Sequence, residues 1–469
     1  MISNTKESNS IPRINTDPSV GWDIGPNYMF SEIIGYGSYG TVCNAFSRIT
    51  GNPVAIKKYI NIFSDITRCK RVLREVELLF TINHPCIIRA LDVFMRRGSD
   101  LYLVMELGQT DLSSLRNTTF LVNEQIKAIM YELIVALNYI HSGGIINRDV
   151  KPANILINCD CSIRLCDFSL GRCITSLNHK GLRTDHNADR DISDEVDEGY
   201  KSAPQTVYCK FEVNFHKAKT SKISSMGPKT IGETMLLFLK PKEKKDSLII
   251  VQKEFTKEYA KDPQLSGYVA TRWYRSPELI LQEKVYTTAI DMWGAGCVFA
   301  ELLEMVKENL TSIDKRSALF PGQSCFPLSP VLIYDASVMV PSKPQDQLKT
   351  ILQFIDELTP SDLSFLKDKT KKKYVKSLLG KNNKVDFKEK FPAASDQAID
   401  LLKRMLEFNP LKRISAREAL NHCYFEEIRD EELEAVMVSP ITLLADTLKE
   451  TSPQILANKV LEKVRSKLL

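Results

Sequence analysis

The spacing of apolar residues divides the chain into two parts. Over residues 28–104 the apolar residues form short runs typical of strands, with one helical stretch at 68–80. From residue 110 onward helical spacing dominates, and its clearest example, the segment 123–142, carries Ile126, Ile129, Met130, Leu133, Ile134, Leu137 and Ile140. The pattern predicts a strand-rich first lobe and a helical second lobe that meet near residues 106–109.

Composition restricts the class of protein without identifying it. A chain of 469 residues, 43% hydrophobic and 26% charged, is long enough for two lobes with extensions and is ordinary for a soluble globular protein. A net charge of +5 without a basic stripe argues against nucleic acid as a partner. The 11 cysteines form no C-x-x-C pair, no apolar signal segment follows Met1, and no apolar run reaches the roughly 20 residues that span a bilayer. These features predict a protein with free thiols in the cytoplasm or nucleus, without a membrane segment.

One short stretch carries three elements of phosphoryl-transfer chemistry. Residues 147–154 read N-R-D-V-K-P-A-N, and D-F-S follows at 167–169 after a predicted strand. In that arrangement Asp149 is placed to accept the proton of a substrate hydroxyl, and Lys151 to neutralise charge on the moving phosphoryl group. The residues placed to hold Mg²⁺ on the phosphates are Asn154 and Asp167. The stretch therefore predicts a catalytic loop followed by a metal-binding loop.

A glycine-rich segment upstream supplies a matching nucleotide clamp. Residues 35–42 fit G-x-G-x-x-G-x-V, in which residues without side chains let backbone amides approach phosphates. The same glycine spacing opens dinucleotide-binding folds, but there a helix follows, whereas here strands are predicted at 42–46 and 53–59. The hairpin reading therefore places Lys57 of V-A-I-K to grip the α- and β-phosphates, with Glu75 as its expected ion-pair partner.

These motifs together resemble the protein kinases, and the later part of the chain narrows the family. The segment 267–278, G-Y-V-A-T-R-W-Y-R-S-P-E, is similar to the activation segment of the mitogen-activated protein kinases. Further similarity covers most of the chain and recurs in the segments 22–28, 319–322, 362–379 and 401–420. The resemblance implies an α+β fold of two lobes, a β-rich N-lobe and a helical C-lobe.

The resemblance also implies where nucleotide and metal bind. ATP and Mg²⁺ are the expected cofactors. Met105 would line the adenine pocket, the backbone of Glu106 and Gly108 would pair with adenine, and Asp111 would reach the ribose. The full set of residues expected at the nucleotide is Ile34, Gly35, Gly37, Gly40, Val42, Ala55, Lys57, Met105, Glu106, Gly108, Asp111 and Asn154.

Five arginines extend the resemblance beyond matching motifs. In these kinases two phosphorylated side chains are held by guanidinium groups, because bidentate Arg donors suit a phosphate with about −2 charge. The acceptors here would be Ser266 and Tyr268. By motif position, phospho-Ser266 would be bound by Arg74, Arg148 and Arg172, and phospho-Tyr268 by Arg272 and Arg275.

Three departures from the family pattern affect these expectations. Asn147 replaces the usual histidine of the catalytic loop, which predicts lower activity, and Ser169 replaces a glycine, which predicts restricted switching of Phe168. Residues 173–265 form an insertion where relatives have a short loop. Its acidic and basic blocks predict that it is largely disordered, with docking through its two apolar runs as the alternative. The expected domains are a flexible segment 1–20, an N-lobe 21–105, a C-lobe 106–428 and a C-terminal extension 429–469.

Three functional classes are compatible with the sequence. The first is an active serine/threonine kinase, proline-directed and activated by phosphorylation of its own loop. The second is a weakly active or inactive kinase fold that serves as a scaffold, and the third is a related kinase that requires a cyclin-like subunit. The complete set of catalytic residues favours the first over the second, and the five arginines with the segment 362–379 favour it over the third. The resemblance then implies protein substrates, an upstream dual-specificity kinase and phosphatases as partners of a monomer.

Overall fold

The computed structural model describes residues 21–37, 40–173, 273–283, 286–322, 346–355, 358–379, 384–448 and 452–466. The segment 1–20 and, from residue 174 on, the expected insertion lie outside the described residues. So do Ser266, Tyr268 and Arg272.

A five-stranded antiparallel sheet forms the N-lobe, with strands in the order β1-β2-β3-β5-β4. The strands are β1 Tyr28–Gly37, β2 Gly40–Ser47, β3 Pro53–Tyr59, β4 Ala90–Arg96 and β5 Asp100–Glu106. Along β5, Tyr102 and Val104 join a small apolar cluster on one face, whereas Leu101 and Leu103 join the main core. This alternation is the one expected for a strand that is buried on both faces.

One helix, α1 (Ile66–Leu79), belongs to the N-lobe. Asp65 caps its first turn by accepting a hydrogen bond from the backbone N–H of Arg68 at 2.7 Å. Val72, Leu73 and Val76 of α1 are buried in the main core with Leu103 of the sheet. The same packing brings the acidic side chain of Glu75, also on α1, to Lys57 on β3.

The C-lobe is mainly helical. Within the described ranges its helices are α2 Leu112–Arg116, α3 Asn123–Ser142, α4 Pro277–Ile280, α5 Ala289–Leu303, α6 Gln347–Phe354, α7 Lys369–Leu378, α8 Phe387–Lys390, α9 Asp396–Met405 and α10 Ala416–Leu420. Short 3-10 helices lie at Pro152–Asn154, Ile313–Lys315, Pro360–Leu363 and Cys423–Ile428. Every residue of α5 is buried, and α5 contacts both α3 and α9, so it forms the centre of the lobe.

Short strands lie before and after the loops that follow the N-lobe. They are β6 Thr110–Asp111, β7 Ile145–Ile146, β8 Ile155–Ile157, β9 Ile163–Leu165 and β10 Arg172–Cys173. Strands β6, β8 and β9 form one small sheet, and β7 pairs with β10. The residues 147–154 therefore start at one strand and end at another, which fixes both ends of that loop.

The C-terminal extension returns to the N-lobe. Its helices α11 Leu444–Thr447 and α12 Pro453–Arg465 both contact α1. The residues of α12 that enter the main core are Leu456, Ala457, Val460, Leu461 and Val464. Nothing in the local sequence pattern predicts this docking, because it joins segments that are far apart along the chain.

The predicted fold class, a β-rich N-lobe with a helical C-lobe, is confirmed. Helix α3 has the predicted bounds, and α1 begins at Ile66 rather than Arg68. Cys173, assigned to the insertion from the sequence, instead pairs with Ile145 as part of β10. Within the described ranges no helix has both the length and the apolar character needed to cross a bilayer.

Candidate active site

On either side of residues 38–39, which lie outside the described residues, the glycine-rich segment pairs as the two antiparallel strands that the sequence predicts. Gly35 pairs with Val42, Gly37 with Gly40, and Val42 with Lys57 of the next strand. A Cβ on Gly40 would lie 2.3 Å from the carbonyl oxygen of Lys58, so glycine is needed there to let β2 approach β3. The requirement at Gly40 thus comes from strand packing in addition to any contact with phosphate.

Lys57 is the centre of a buried charge cluster. Its Nζ donates to Oε1 of Glu75 at 2.7 Å and to Oδ1 of Asp167 at 3.3 Å. Burial alone would lower the pKa of Lys57, but the negative charges of Asp167 and Glu75 outweigh it and raise that pKa well above its usual range. Lys57 is therefore a fixed positive charge between α1 and the loop at 167–169.

The connection between the lobes contains the residues expected at the adenine. Met105 is half-buried and pairs with Ala55 on β3. The backbone N–H of Glu106 already donates to the carbonyl of Arg89 at 3.1 Å. A Cβ on Gly108 would lie 2.8 Å from Cβ of Leu156, so the absence of a side chain lets the hinge lie against β8. Leu156 is a contact of the hinge that the sequence did not predict, since only the fold brings β8 against Gly108.

Asp111, expected at the ribose, has a structural partner. It is the N-cap of α2, and its two carboxylate oxygens accept from the N–H and the hydroxyl of Ser114 at 3.0 and 2.8 Å. Its side chain is buried. The ribose contact stays a prediction.

Ile34, another residue expected at the nucleotide, is half-buried in β1.

The loop at 147–154 brings three functional side chains together. Nζ of Lys151 lies 2.7 Å from Oδ2 of Asp149, and Nδ2 of Asn154 donates to the same oxygen at 2.9 Å. Burial raises the pKa of Asp149 above its usual range, and the charge of Lys151 opposes that rise. A buried carboxylate with a raised pKa beside a lysine can accept a proton from a hydroxyl group.

A buried aspartate, Asp291, holds the backbone of this loop through two hydrogen bonds. Oδ2 of Asp291 accepts from the backbone N–H of Asn147, and Oδ1 accepts from that of Arg148, both at 2.8 Å. Arg148 has a φ of 68°, a left-handed conformation that is unfavourable for a residue with a side chain. The hydrogen bonds that these two N–H groups donate to Asp291 offset that cost and fix the backbone next to Asp149.

Asn147 links the catalytic loop to the metal-binding loop. Its Oδ1 accepts from the backbone N–H of Asp149 at 3.1 Å, and its Nδ2 donates to the carbonyl of Asp167 at 3.4 Å. It is completely buried. The asparagine therefore connects the two loops at the position where the family usually has histidine.

The loop at 167–169 is held with its aspartate toward Lys57. Phe168 is fully buried in the main core, and Asp167 has a left-handed φ of 57°. The N–H of Ser169 donates to Oδ1 of Asp167 at 3.3 Å. Burial would raise the pKa of Asp167, but the charge of Lys57 and the hydrogen bonds from Ser169 hold it below its usual range. Asp167 is thus kept ionised.

The three arginines predicted for phospho-Ser266 are brought together. Nη2 of Arg74 lies 2.8 Å and Nη1 of Arg172 lies 3.6 Å from the same carboxylate oxygen, Oδ1 of Asp446. Burial lowers the pKa of Arg148, and the positive charges of Arg172 and Arg74 add to that effect. Arg148 also donates to the hydroxyl of Tyr286 at 2.7 Å, a contact that sequence reasoning missed. Arg275 is exposed on the segment before α4.

The oxygen donors at this site fit a hard divalent cation. Nδ2 of Asn154 makes its hydrogen bonds to Asp149, so Oδ1 is the atom of that amide left for a cation. Together with the ionised Asp167 it offers two oxygen ligands. Among the described residues no group of three or more His, Cys, Asp or Glu side chains forms a complete metal cage. Such a site suits a divalent cation that takes its other ligands from phosphate oxygens and water.

Comparison with known proteins agrees with this geometry. The family model described as Protein kinase domain matches residues 28–190 and 242–425, and the unmatched residues between lie inside the expected insertion. Mitogen-activated protein kinase PMK1 of Pyricularia oryzae is 30% identical, over 88% of this chain and 85% of its own length. Mitogen-activated protein kinase mpkB of Aspergillus fumigatus is 30% identical over 88% of this chain and 86% of its own. Mitogen-activated protein kinase HOG1A of Wallemia ichthyophaga is 28% identical over 91% and 85%.

The link made by Asn147 can be tested by substitution. Asn147→Ala removes its two partly buried hydrogen bonds, to the N–H of Asp149 and to the carbonyl of Asp167. Since each is worth about 1 kcal/mol, kcat for phosphoryl transfer should fall by about tenfold or more. Asn158→Ala is the control, because it removes a side-chain hydrogen bond to Ser162 outside the loop. Asn147→His should preserve or raise kcat. Equal kcat values for Asn147→Ala and the parent protein would contradict the role given to this side chain.

Proposed function

The chain belongs to the protein kinase family, and its relatives include mitogen-activated protein kinases. We propose that it is a proline-directed serine/threonine kinase that becomes active when an upstream kinase phosphorylates it. It transfers the γ-phosphoryl group of Mg²⁺-ATP to protein Ser or Thr residues that precede proline. Phosphorylation of Ser266 and Tyr268 is the activating event.

One observation supports the proposal that this kinase is catalytically active. Nζ of Lys57 binds both Glu75 and Asp167, and Phe168, the residue after Asp167, is buried in the main core. An active kinase needs the lysine–glutamate pair and the metal-binding aspartate in place at the same time. A scaffold without activity has no need to keep two buried charges, Lys57 and Glu75, together with the partly buried charge of Asp167, since burial of unpaired charge is costly.

The proposed reaction uses the residues already described. Asp149 accepts the proton of the substrate hydroxyl as that oxygen attacks the γ-phosphorus atom. Lys151, 2.7 Å from Asp149, neutralises charge on the phosphoryl group in transfer, and Lys57 holds the α- and β-phosphates. Asn154 and Asp167 would hold Mg²⁺, which when bound neutralises charge on the phosphate oxygens.

The other classes receive less support. The segment 362–379, which is similar to the insert of mitogen-activated kinases, contains α7 at Lys369–Leu378. That feature speaks against a kinase that depends on a cyclin-like subunit. The proposal includes an upstream dual-specificity kinase and phosphatases as partners, action as a monomer, and a place in the cytoplasm or nucleus.

The role of Asp149 as base predicts the pH dependence of kcat. Asp149→Asn should remove nearly all transfer to a peptide substrate. In the parent protein kcat should fall as the pH is lowered through the pKa of Asp149, which burial raises above the usual aspartate value. Lys151→Met removes the charge that opposes this rise, so the acid limb of its pH profile should move to higher pH.

Lys388→Met is the matched control for the pH profile. Its Nζ pairs with the exposed Asp396, so it should leave the acid limb in place. Substantial activity of Asp149→Asn would contradict the kinase proposal itself. An acid limb that Lys151→Met does not move would contradict only the assignment of that limb to Asp149.

Activation by phosphorylation is tested at the acceptors. Because a phosphate on Ser266 would neutralise the arginine cluster beside Asp149, Ser266→Ala with Tyr268→Phe should reduce the activity gained on treatment with the upstream kinase by about 100-fold or more. Mass spectrometry of the active parent protein should find phosphate on both residues. Full activity of the double variant would mean that the family's mode of activation does not apply to this chain.

A further inference from the structure

The carboxylate of Asp446 lies in the arginine cluster assigned above to a phosphate. Its Oδ1 accepts a hydrogen bond from Nε of Arg74 at 2.8 Å and lies 2.8 Å from Nη2 of the same guanidinium. The same oxygen is 3.6 Å from Nη1 of Arg172. Guanidinium groups bind carboxylate and phosphate oxygens with the same donor pairs, so an anion from the protein itself stands at this position.

Asp446 is held there by the docking of the C-terminal extension. The backbone N–H groups of Leu444 and Ala445 donate to the two carboxylate oxygens of Glu77 at 2.9 and 3.2 Å. Nζ of Lys463, on α12, lies 2.7 Å from Oε1 of Glu77. Glu77 is buried, and so is the side chain of Ala445. The backbone just before Asp446 and the helix α12 that follows it are thus both anchored to Glu77 of α1.

The arginine that binds Asp446 is next in the chain to a member of the catalytic charge cluster. Arg74, which binds Asp446, precedes Glu75, which binds Lys57. An anion on Arg74 therefore acts on the same turn of α1 that must be in place for the Lys57–Glu75 pair. Without an anion, the clustered positive charges of Arg74, Arg148 and Arg172 would repel one another.

We propose that Asp446 is a positioning residue that stands in for the activating phosphate, holding Arg74, Arg172 and α1 in the catalytic arrangement before Ser266 is phosphorylated. The inference rests on the proposed phosphate-binding role of these arginines. A carboxylate carries one negative charge and a phosphate about two, so phosphorylated Ser266 takes over the arginines from Asp446. Phosphorylation then strengthens an arrangement that the C-terminal extension already maintains.

The test uses the full chain with either serine or phosphoserine installed at position 266. Two quantities are measured: kcat, and hydrogen exchange of the backbone across α1. With serine at 266, Asp446→Asn should lower kcat about tenfold, as expected for loss of a charged hydrogen bond, and should speed exchange in α1. With phosphoserine at 266 both differences should disappear, because the phosphate replaces the missing carboxylate. A purely structural role of Asp446 would leave the same defect in both forms.

Two further variants complete the comparison. Asp446→Glu keeps the charge and should recover most of the kcat and of the slow exchange. Glu462→Gln removes a negative charge from an exposed position on α12 and should change neither quantity. Unchanged exchange in α1, or an unchanged or higher kcat, in Asp446→Asn with serine at 266 would overturn the proposal. If phosphoserine fails to raise kcat in the parent protein, activation by phosphorylation is wrong, and the serine forms still decide the role of Asp446.

Discussion

The ammonium group of Lys57 joins three segments that would otherwise be independent. It comes from the N-lobe sheet, Glu75 comes from α1, and Asp167 comes from the loop at the edge of the C-lobe. Removing one charge from such a buried group leaves the others uncompensated, at a cost of about 3–5 kcal/mol. The active arrangement is therefore cooperative, and whatever holds α1 in place controls the site.

Three neighbouring charged residues of α1 connect the helix both to the catalytic lysine and to the C-terminal extension. Glu75 faces the nucleotide lysine, Arg74 meets Asp446 of the C-terminal extension, and Glu77 accepts the backbone of that extension. The side chains of all three are buried. The catalytic charges and the C-terminal extension thus meet on about one turn of α1, which gives the extension a physical means of acting on the site.

The sequence predicted what local patterns encode. The strand–helix division, the bounds of α3, the Lys57–Glu75 pair and the grouping of Arg74, Arg148 and Arg172 all follow from periodicity and motif position. Asp446 and Leu156 escaped prediction because tertiary packing alone brings them to the site, and an isolated aspartate or leucine has no motif. The sequence shows that Asn147 departs from the family pattern. Its hydrogen bonds to the two loops could not be predicted, because they depend on how both loops are placed in the fold.

If Asp446 acts on catalysis through α1 and the Lys57–Glu75 pair, its effect on nucleotide binding must depend on Glu75. The most direct measurement is a double-mutant cycle on the dissociation constant of ATP, with Glu75→Gln and Asp446→Asn alone and combined, in the protein with serine at 266. We expect Asp446→Asn to weaken ATP binding in the parent protein and to add little once Glu75 is neutralised, because both changes act through the same contacts of α1. Fully additive effects would contradict it.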